Sequence, residues 1–275
     1  MKKIAGFISL VFFLMPWGAL AQEPRLDDMS GKTVLVFTPH PDDELFGAGG
    51  TIAILNQHHN RVYIVIYTND DKGSYDPEMS SQRLARIRKA EEEASEAVLG
   101  TPTEMISWMG YDDGMLEYAP QPKLVEETTA IIRRIRPDVL LCPDPGEWYV
   151  RWHKTDHRMA ANNTVDAVRA AEFWLYFPNQ RLEQHLEPYQ VPLIYFYYTA
   201  PQEANTWVNV DAVLPLKLEA AAKQVSQFEP SITRYRPDWD PADWAKAEAE
   251  MKKREPRKDG HYVEAFRRAT GFNQE

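Results

Sequence analysis

Thr33-Val34-Leu35-Val36-Phe37-Thr38 runs directly into Pro39-His40-Pro41-Asp42-Asp43-Glu44, and the reading of that junction decides the fold. The first six residues are β-branched or apolar, as a buried strand requires. Leu45 to Leu55 follows as a helix in which Gly47, Gly49 and Gly50 permit close approach to a sheet or a site. Arg61-Val62-Tyr63-Ile64-Val65-Ile66-Tyr67 is then a second strand.

The alternation continues outward from there. After a polar loop with Asn69, Asp70, Asp71 and Gly73, apolar residues at helical spacing predict a helix from Ser81 to Leu99, stopped by Gly100. A third strand fits Met105 to Met109, a helix about 122–135, and a fourth strand Asp138 to Cys142. A loop containing Pro and Gly runs through Trp152, and a helix occupies about Asp156 to Ala171. Strand and helix in turn predict an α/β fold, a Rossmann-like open and mostly parallel sheet with helices on both faces. In such a sheet the ligand crevice lies at the carboxyl ends of the strands. Leu193–Tyr198 and Thr206–Val210 read as further strands and 213–228 as a helix rich in Ala, Lys and Leu. From Glu229 onward Pro, Trp and charges dominate, until a short helix expected at about 262–269.

The amino terminus reads as a targeting segment. Met1-Lys2-Lys3 is a positive start, Ile4 to Trp17 is largely apolar, and Ala19-Leu20-Ala21 is a small-x-small cleavage site. The apolar stretch is short for a span of about 20 residues, and Pro16 interrupts it. The expectation is a signal peptide over 1–21, a secreted or periplasmic product, and no membrane insertion after cleavage. Residues 22–275 would then form a single α/β domain, with 229–275 as its extension.

The formal net charge of the 275-residue chain is −10, and losing Lys2 and Lys3 makes it −12. That sign argues against nucleic acid or an anionic membrane as partner and favours an uncharged or cationic small molecule. Cys142, the single cysteine, excludes an intramolecular disulfide, and its apolar setting argues against a reactive thiol. Nothing in the sequence sets an oligomeric state.

One imidazole and three carboxylates in a single turn repel and destabilise one another unless a cation relieves them. A second cluster, His153-Lys154-Thr155-Asp156-His157, closes the site from far along the chain. Zinc takes His nitrogen and carboxylate oxygen, and a catalytic zinc keeps three protein ligands and an open position. His40 and Asp43 can be aimed at one point by a tight turn, with His157 at a helix start as the third ligand. Asp42 stays free as a base. Two histidines and a carboxylate suit Fe2+ as well as Zn2+.

Thr38 to Glu44, followed much later by Asp156-His157, resembles the signature of the PIG-L / LmbE-like zinc-dependent N-acetylglucosaminyl de-N-acetylase family. The resemblance extends from about Lys32 to Gln227. Arg88-Lys89-Ala90-Glu91 through Leu99-Gly100 is similar to the family's R-x-x-E helix, Asp113-Gly114-Met115-Leu116 to its Asp-Gly-x-Leu segment, and Lys217 through Ser226-Gln227 to its late helix. It implies His40, Asp43 and His157 as zinc ligands, Asp42 as general base, and Arg88 and Asp113 at the substrate. The family spaces its two late histidines three apart. Here they are four apart, with Lys154 in the expected place, and the oxyanion-stabilising role passes to His153. Gln224 stands where the family often has His. Asp156 would orient a histidine from outside the ligand set, and Glu44 would act in the same outer layer or simply favour the helix start.

Plainer roles compete for several residues. Arg88 sits among Arg83, Arg86 and Lys89 and would serve as a surface ion pair. Asp113 would shape a turn before Gly114. Tyr149 and Trp152 border His153 and suit stacking on a sugar, whereas Trp108 and Trp174 fit core packing. Asn162-Asn163-Thr164 matches a glycosylation acceptor but falls within a helix. The expected activity is removal of the N-acetyl group from an N-acetylated amino sugar or its conjugate. The alternatives are an amidase acting on another small conjugate and a metal-containing carbohydrate-binding protein without turnover.

Overall fold

The computed structural model describes residues 25–146, 155–228 and 234–269. Five strands, β1 (Thr33–Thr38), β2 (Arg61–Thr68), β3 (Ile106–Tyr111), β4 (Val139–Pro143) and β5 (Leu193–Tyr197), are parallel and lie in the order β3-β2-β1-β4-β5. Beyond β5 the sheet turns antiparallel. β6 (Thr206–Asn209) and the two-residue β7 (Arg257–Lys258) both pair with β8 (His261–Ala269), which itself lies beside β5. The expected mostly parallel sheet with helices on both faces is therefore present.

Both faces are covered, which explains why the central strands carry apolar runs without alternation. On one face Val34, Val36, Ile64, Ile66, Leu141 and Tyr195 pack against α1 (Asp43–Gln57), α2 (Ser81–Leu99) and α6 (Leu214–Ala221). On the other, Leu35, Phe37, Val65, Leu140 and Cys142 meet Leu124 and Ile132 of α3 (Gln121–Ile135) and Ala160, Ala167 and Val168 of α4 (Thr155–Glu172). Each such Leu, Ile, Val or Phe contributes roughly 1.5–3 kcal/mol by leaving water. The α1 glycines serve close approach: a Cβ at Gly47 would strike the Tyr197 ring, and one at Gly50 the Val210 side chain. Four short or late helices complete the description, α5 (Pro178–Leu182), the α6 just named, α7 (Val225–Phe228) and α8 (Pro241–Arg254). No described helix is long and apolar enough to cross a membrane.

The carboxyl-terminal third departs from expectation in three places. Residues 261–269 form β8 rather than a helix, because pairing on both sides with β5 and β6 overrides the helix preference of Glu264, Ala265, Arg267 and Arg268. The helix expected over 213–228 is broken into α6 and α7, with Gln224 turned inward to donate to Glu92. The helix α8 was not anticipated, although Asp240 caps it by accepting from the Ala242 N–H and Pro241 stands at its first position. Trp174, expected in the core, is 48% exposed. Trp108 packs partly buried against the core, as expected. Asn162, the acceptor of the glycosylation match, lies within α4 as expected, on its exposed side.

Candidate active site

The carboxyl end of β1 turns sharply into α1, and α1 starts two residues earlier than its apolar pattern suggests. Asp43 and Glu44 are thus in its first turn, buried and near the positive end of the helix dipole. Asp42 precedes them with φ 155° and ψ −25°, a conformation that residues with a side chain rarely adopt. Opposite this turn, the start of α4 presents Asp156 and His157, 2% and 3% exposed.

One oxygen of Asp43 lies at the centre. Its Oδ2 is 3.0 Å from His40 Nδ1 and 3.1 Å from His157 Nε2. The donor atoms of the three residues lie within 4.8 Å of one another. Ligand atoms around a tetrahedral zinc with bonds of roughly 2.0–2.1 Å stand about 3.3–3.4 Å apart, so this donor set fits such an ion. The far side of His40 is fixed as well. Its Nε2 is 3.1 Å from Asp113 Oδ1 and 3.2 Å from Asp156 Oδ2, the carboxylate backing that orients a metal-binding imidazole and raises its basicity. Asp156 also accepts the N–H groups of Gly114 and Leu116, which ties the 113–116 segment to α4. The Tyr198 hydroxyl donates to the second Asp43 oxygen at 3.2 Å, and its ring stacks on His157.

Electrostatics separate the carboxyls. Burial would raise Asp43, but the His157 and His40 rings bring it well below the usual carboxylate range. Burial acts against the charged form of His40, yet hydrogen bonds to Asp113, Asp156 and Asp43 carry it well above an ordinary histidine. Asp42 is pushed well up, first by burial and then by the charges of Asp43 and Asp70. A carboxylate that holds a proton readily, beside a metal-type donor set, is the arrangement general-base chemistry uses.

A family model described as GlcNAc-PI de-N-acetylase, PIG-L, matches residues 35–168. The diacetylchitobiose deacetylase of Thermococcus kodakarensis is 32% identical over 210 residues, covering 76% of this chain and 74% of that protein. The chain belongs to the PIG-L de-N-acetylase family. The N,N'-diacetylchitobiose deacetylase structure from Pyrococcus horikoshii superposes with a TM-score of 0.72 at 30% identity, covering 87% of this chain and 84% of that one. A 1D-myo-inositol 2-acetamido-2-deoxy-alpha-D-glucopyranoside deacetylase from Corynebacterium diphtheriae is 23% identical over 231 residues, 75% of this chain and 78% of that protein.

Against this PIG-L frame, the fold brings His40, Asp42, Asp43, Asp113, Asp156 and His157 to one crevice. Arg88 is placed differently from a surface ion pair. It is 4% exposed and donates through Nη1 to the carbonyls of Asp70 and Lys72 and to Asp70 Oδ1. Glu44 turns toward α2, where one of its carboxyl oxygens lies within 4.8 Å of one from each of Glu92 and Glu96. His153, Tyr149 and Trp152 lie outside the described residues. Two polar groups around the site carried no signal of role in the sequence. Tyr198 reads as the last aromatic of a strand, and Asp70 as one of several loop acids; both take left-handed backbone, φ 58° and 51°, which aims them at the site.

Proposed function

We propose that this PIG-L family member is a metal-dependent de-N-acetylase that removes the acetyl group from an N-acetylated amino sugar or its conjugate, and that it works outside the cytoplasm after loss of residues 1–21. The observation that carries the reading is the convergence of His40, Asp43 and His157 beside a free Asp42, on a chain about a third identical to a diacetylchitobiose deacetylase.

His40 Nδ1, His157 Nε2 and an Asp43 oxygen would hold Zn2+, with Fe2+ as the other ion this donor set accepts. When bound, such an ion supplies Lewis acidity toward the acetamide carbonyl and brings the pKa of water toward about 7. The remaining work falls to the chain's own groups. Asp42 takes the proton that the attacking water gives up and returns it toward the departing amine. Asp113 and Asp156 keep His40 in one tautomer and orientation, and the Tyr198 hydroxyl orients Asp43 by donating to its other oxygen. By family resemblance His153 stabilises the developing oxyanion and Asp113 meets the substrate, while Tyr149 and Trp152, which border His153 in the chain, would stack on the sugar.

The test is release of acetate from N-acetylglucosamine, diacetylchitobiose and an N-acetylglucosaminyl conjugate by protein loaded with Zn2+ or Fe2+. Asp42→Asn is expected to keep stoichiometric metal and lose about 10²–10⁴-fold in turnover, the range of a general base. Stoichiometric metal and measurable sugar binding without acetate from any substrate would replace the enzyme with a binding protein. Sequencing the amino terminus of protein recovered from the periplasm or medium checks export, with Gln22 expected first.

A further inference from the structure

The turn that carries the site residues is fastened at each of its carbonyls. Thr68 donates to the Pro39 carbonyl through both its N–H and its hydroxyl, at 3.1 and 2.9 Å. The Thr38 hydroxyl and the Asp42 N–H donate to the His40 carbonyl, at 2.9 and 3.1 Å. The Pro41 carbonyl receives the Gln227 side-chain amide at 2.7 Å, from α7, 186 residues away in the chain. The last of these has a specific consequence. The Pro41 carbonyl belongs to the peptide plane about which φ of Asp42 is measured, and that φ is 155°, far from where a residue with a side chain settles unaided.

Gln227 is itself held on a buried track. Its Nε2 donates also to Asp70 Oδ2 at 3.0 Å, and the other Asp70 oxygen takes Arg88 Nη1 at 2.8 Å. Arg88 reaches Ser226 Oγ at 3.4 Å through Nε, and Glu91 accepts from the Ser226 N–H at 2.9 Å. α7 is thereby pinned to α2 and to the loop after β2 just where Gln227 leaves it. Each group in the series uses its donor or acceptor on the next, and the series ends at the peptide in front of Asp42.

We infer that Gln227 is a positioning residue that holds Asp42 in its strained, reaction-ready orientation, and that Asp70 and Arg88 act through it. The inference rests on Asp42 serving as the base in the proposed deacetylation. On this assignment Arg88 helps set the aim of Asp42 from beneath the crevice.

Gln227→Glu keeps the shape and removes the donor, setting an oxygen against both the Pro41 carbonyl and Asp70; Gln227→Leu removes the amide altogether. Both variants are expected to retain one metal per chain and a KM within about threefold of the parent, while kcat falls roughly 10–100-fold, the scale on which a misaimed catalytic group slows a reaction. In the Asp42→Asn background Gln227→Leu should produce no further loss in kcat, since its effect runs through Asp42. Unchanged kcat in either single variant, a loss carried by KM, or a loss that adds fully to that of Asp42→Asn would overturn the inference. Should the parent release no acetate, the deacetylase reading falls by itself, and a crystal structure of metal-loaded Gln227→Leu decides on positioning alone. Release of the Pro41–Asp42 peptide to an ordinary negative φ supports the inference; retention of φ near 155° overturns it.

Discussion

Asp43 and Glu44 are consecutive residues, both buried, both carboxylic acids, both in the first turn of the same helix. The dipole of α1 favours the charge of each to a similar extent. Asp43 is nevertheless brought well below the usual carboxylate range, while burial and then the charge of Glu96 push Glu44 up to about 8. Rotation by one residue around the helix sets one acid between two imidazoles and the other against α2, where Glu92 and Glu96 are also fully buried. Burial is common to both sides of α1, so the facing partners alone decide which acid is charged. One side is built for a cation, the other for protons.

The largest effect should come from removing the charge on the cation side. Asp43→Asn leaves two ring nitrogens and an amide, and is expected to lose bound metal and to lower acetate release roughly 10³-fold or more, the scale of losing a group that stabilises transition-state charge. Elemental analysis alongside acetate assay checks both. Full metal content in Asp43→Asn would erase the contrast with Glu44. A smaller effect is expected from Tyr198→Phe, which keeps the ring on His157 but deletes the hydroxyl that donates to Asp43. Loss of such an outer hydrogen bond lowers metal affinity about 10–100-fold, measurable by competition with a chelator. Unaltered affinity would mean that the two histidines orient Asp43 by themselves.

The two sides of α1 were also unequal in how far the sequence revealed them. The parallel half of the sheet was legible because β1, β2 and β4 are apolar runs separated by amphipathic segments, and the strand-to-helix turn after β1 carries its chemistry in five consecutive residues. His157 could be joined to it because a second cluster of ligand types at a helix start has few other uses. The Glu44 side was not legible. Glu92 and Glu96 stand four apart in a helix crowded with Arg, Lys and Glu, a pattern that ordinarily marks a solvated face. Asp70 and Tyr198 were equally hidden, since their partners lie 18 and 155 residues away and no local spacing encodes such contacts; Gln227 stood out only as the end of the late-helix match, with nothing to point to its partner 186 residues away. At the carboxyl end β8 has helix-forming composition, but Glu264 is drawn inside to accept from Gly50, Thr51 and Lys217. A strand paired on both sides then outweighs local preference.

The smallest effect tests the proton side. Glu44 is pushed up to about 8 and Glu96 to about 7, burial acting first in each case, and Glu92 rises well above its ordinary value for the same reason and through the charges of Glu44 and Glu96. Between the usual glutamate range near 4.5 and these raised values, the folded protein holds more protons than the unfolded chain. Stability must therefore fall as pH rises through that interval, and below it the three acids contribute no slope. In metal-free protein His40 contributes in the same direction, since its raised pKa gives stability at low pH that is lost on the way up, so the readout is the difference between parent and variant, both freed of metal. Glu96→Gln removes one of the facing charges without changing size. Its melting temperature should match the parent near pH 5 and exceed it at pH 8 by about 2–4 °C, equivalent to roughly 1 kcal/mol in a domain of this size. Metal content and acetate release should stay within about twofold, because the charge on the other side of α1 is set by His40 and His157 and not by this cluster. A parent and variant that melt in parallel across pH 5–8 would show the glutamates already ionised at neutral pH, and with that the opposition between the two faces of α1 would disappear.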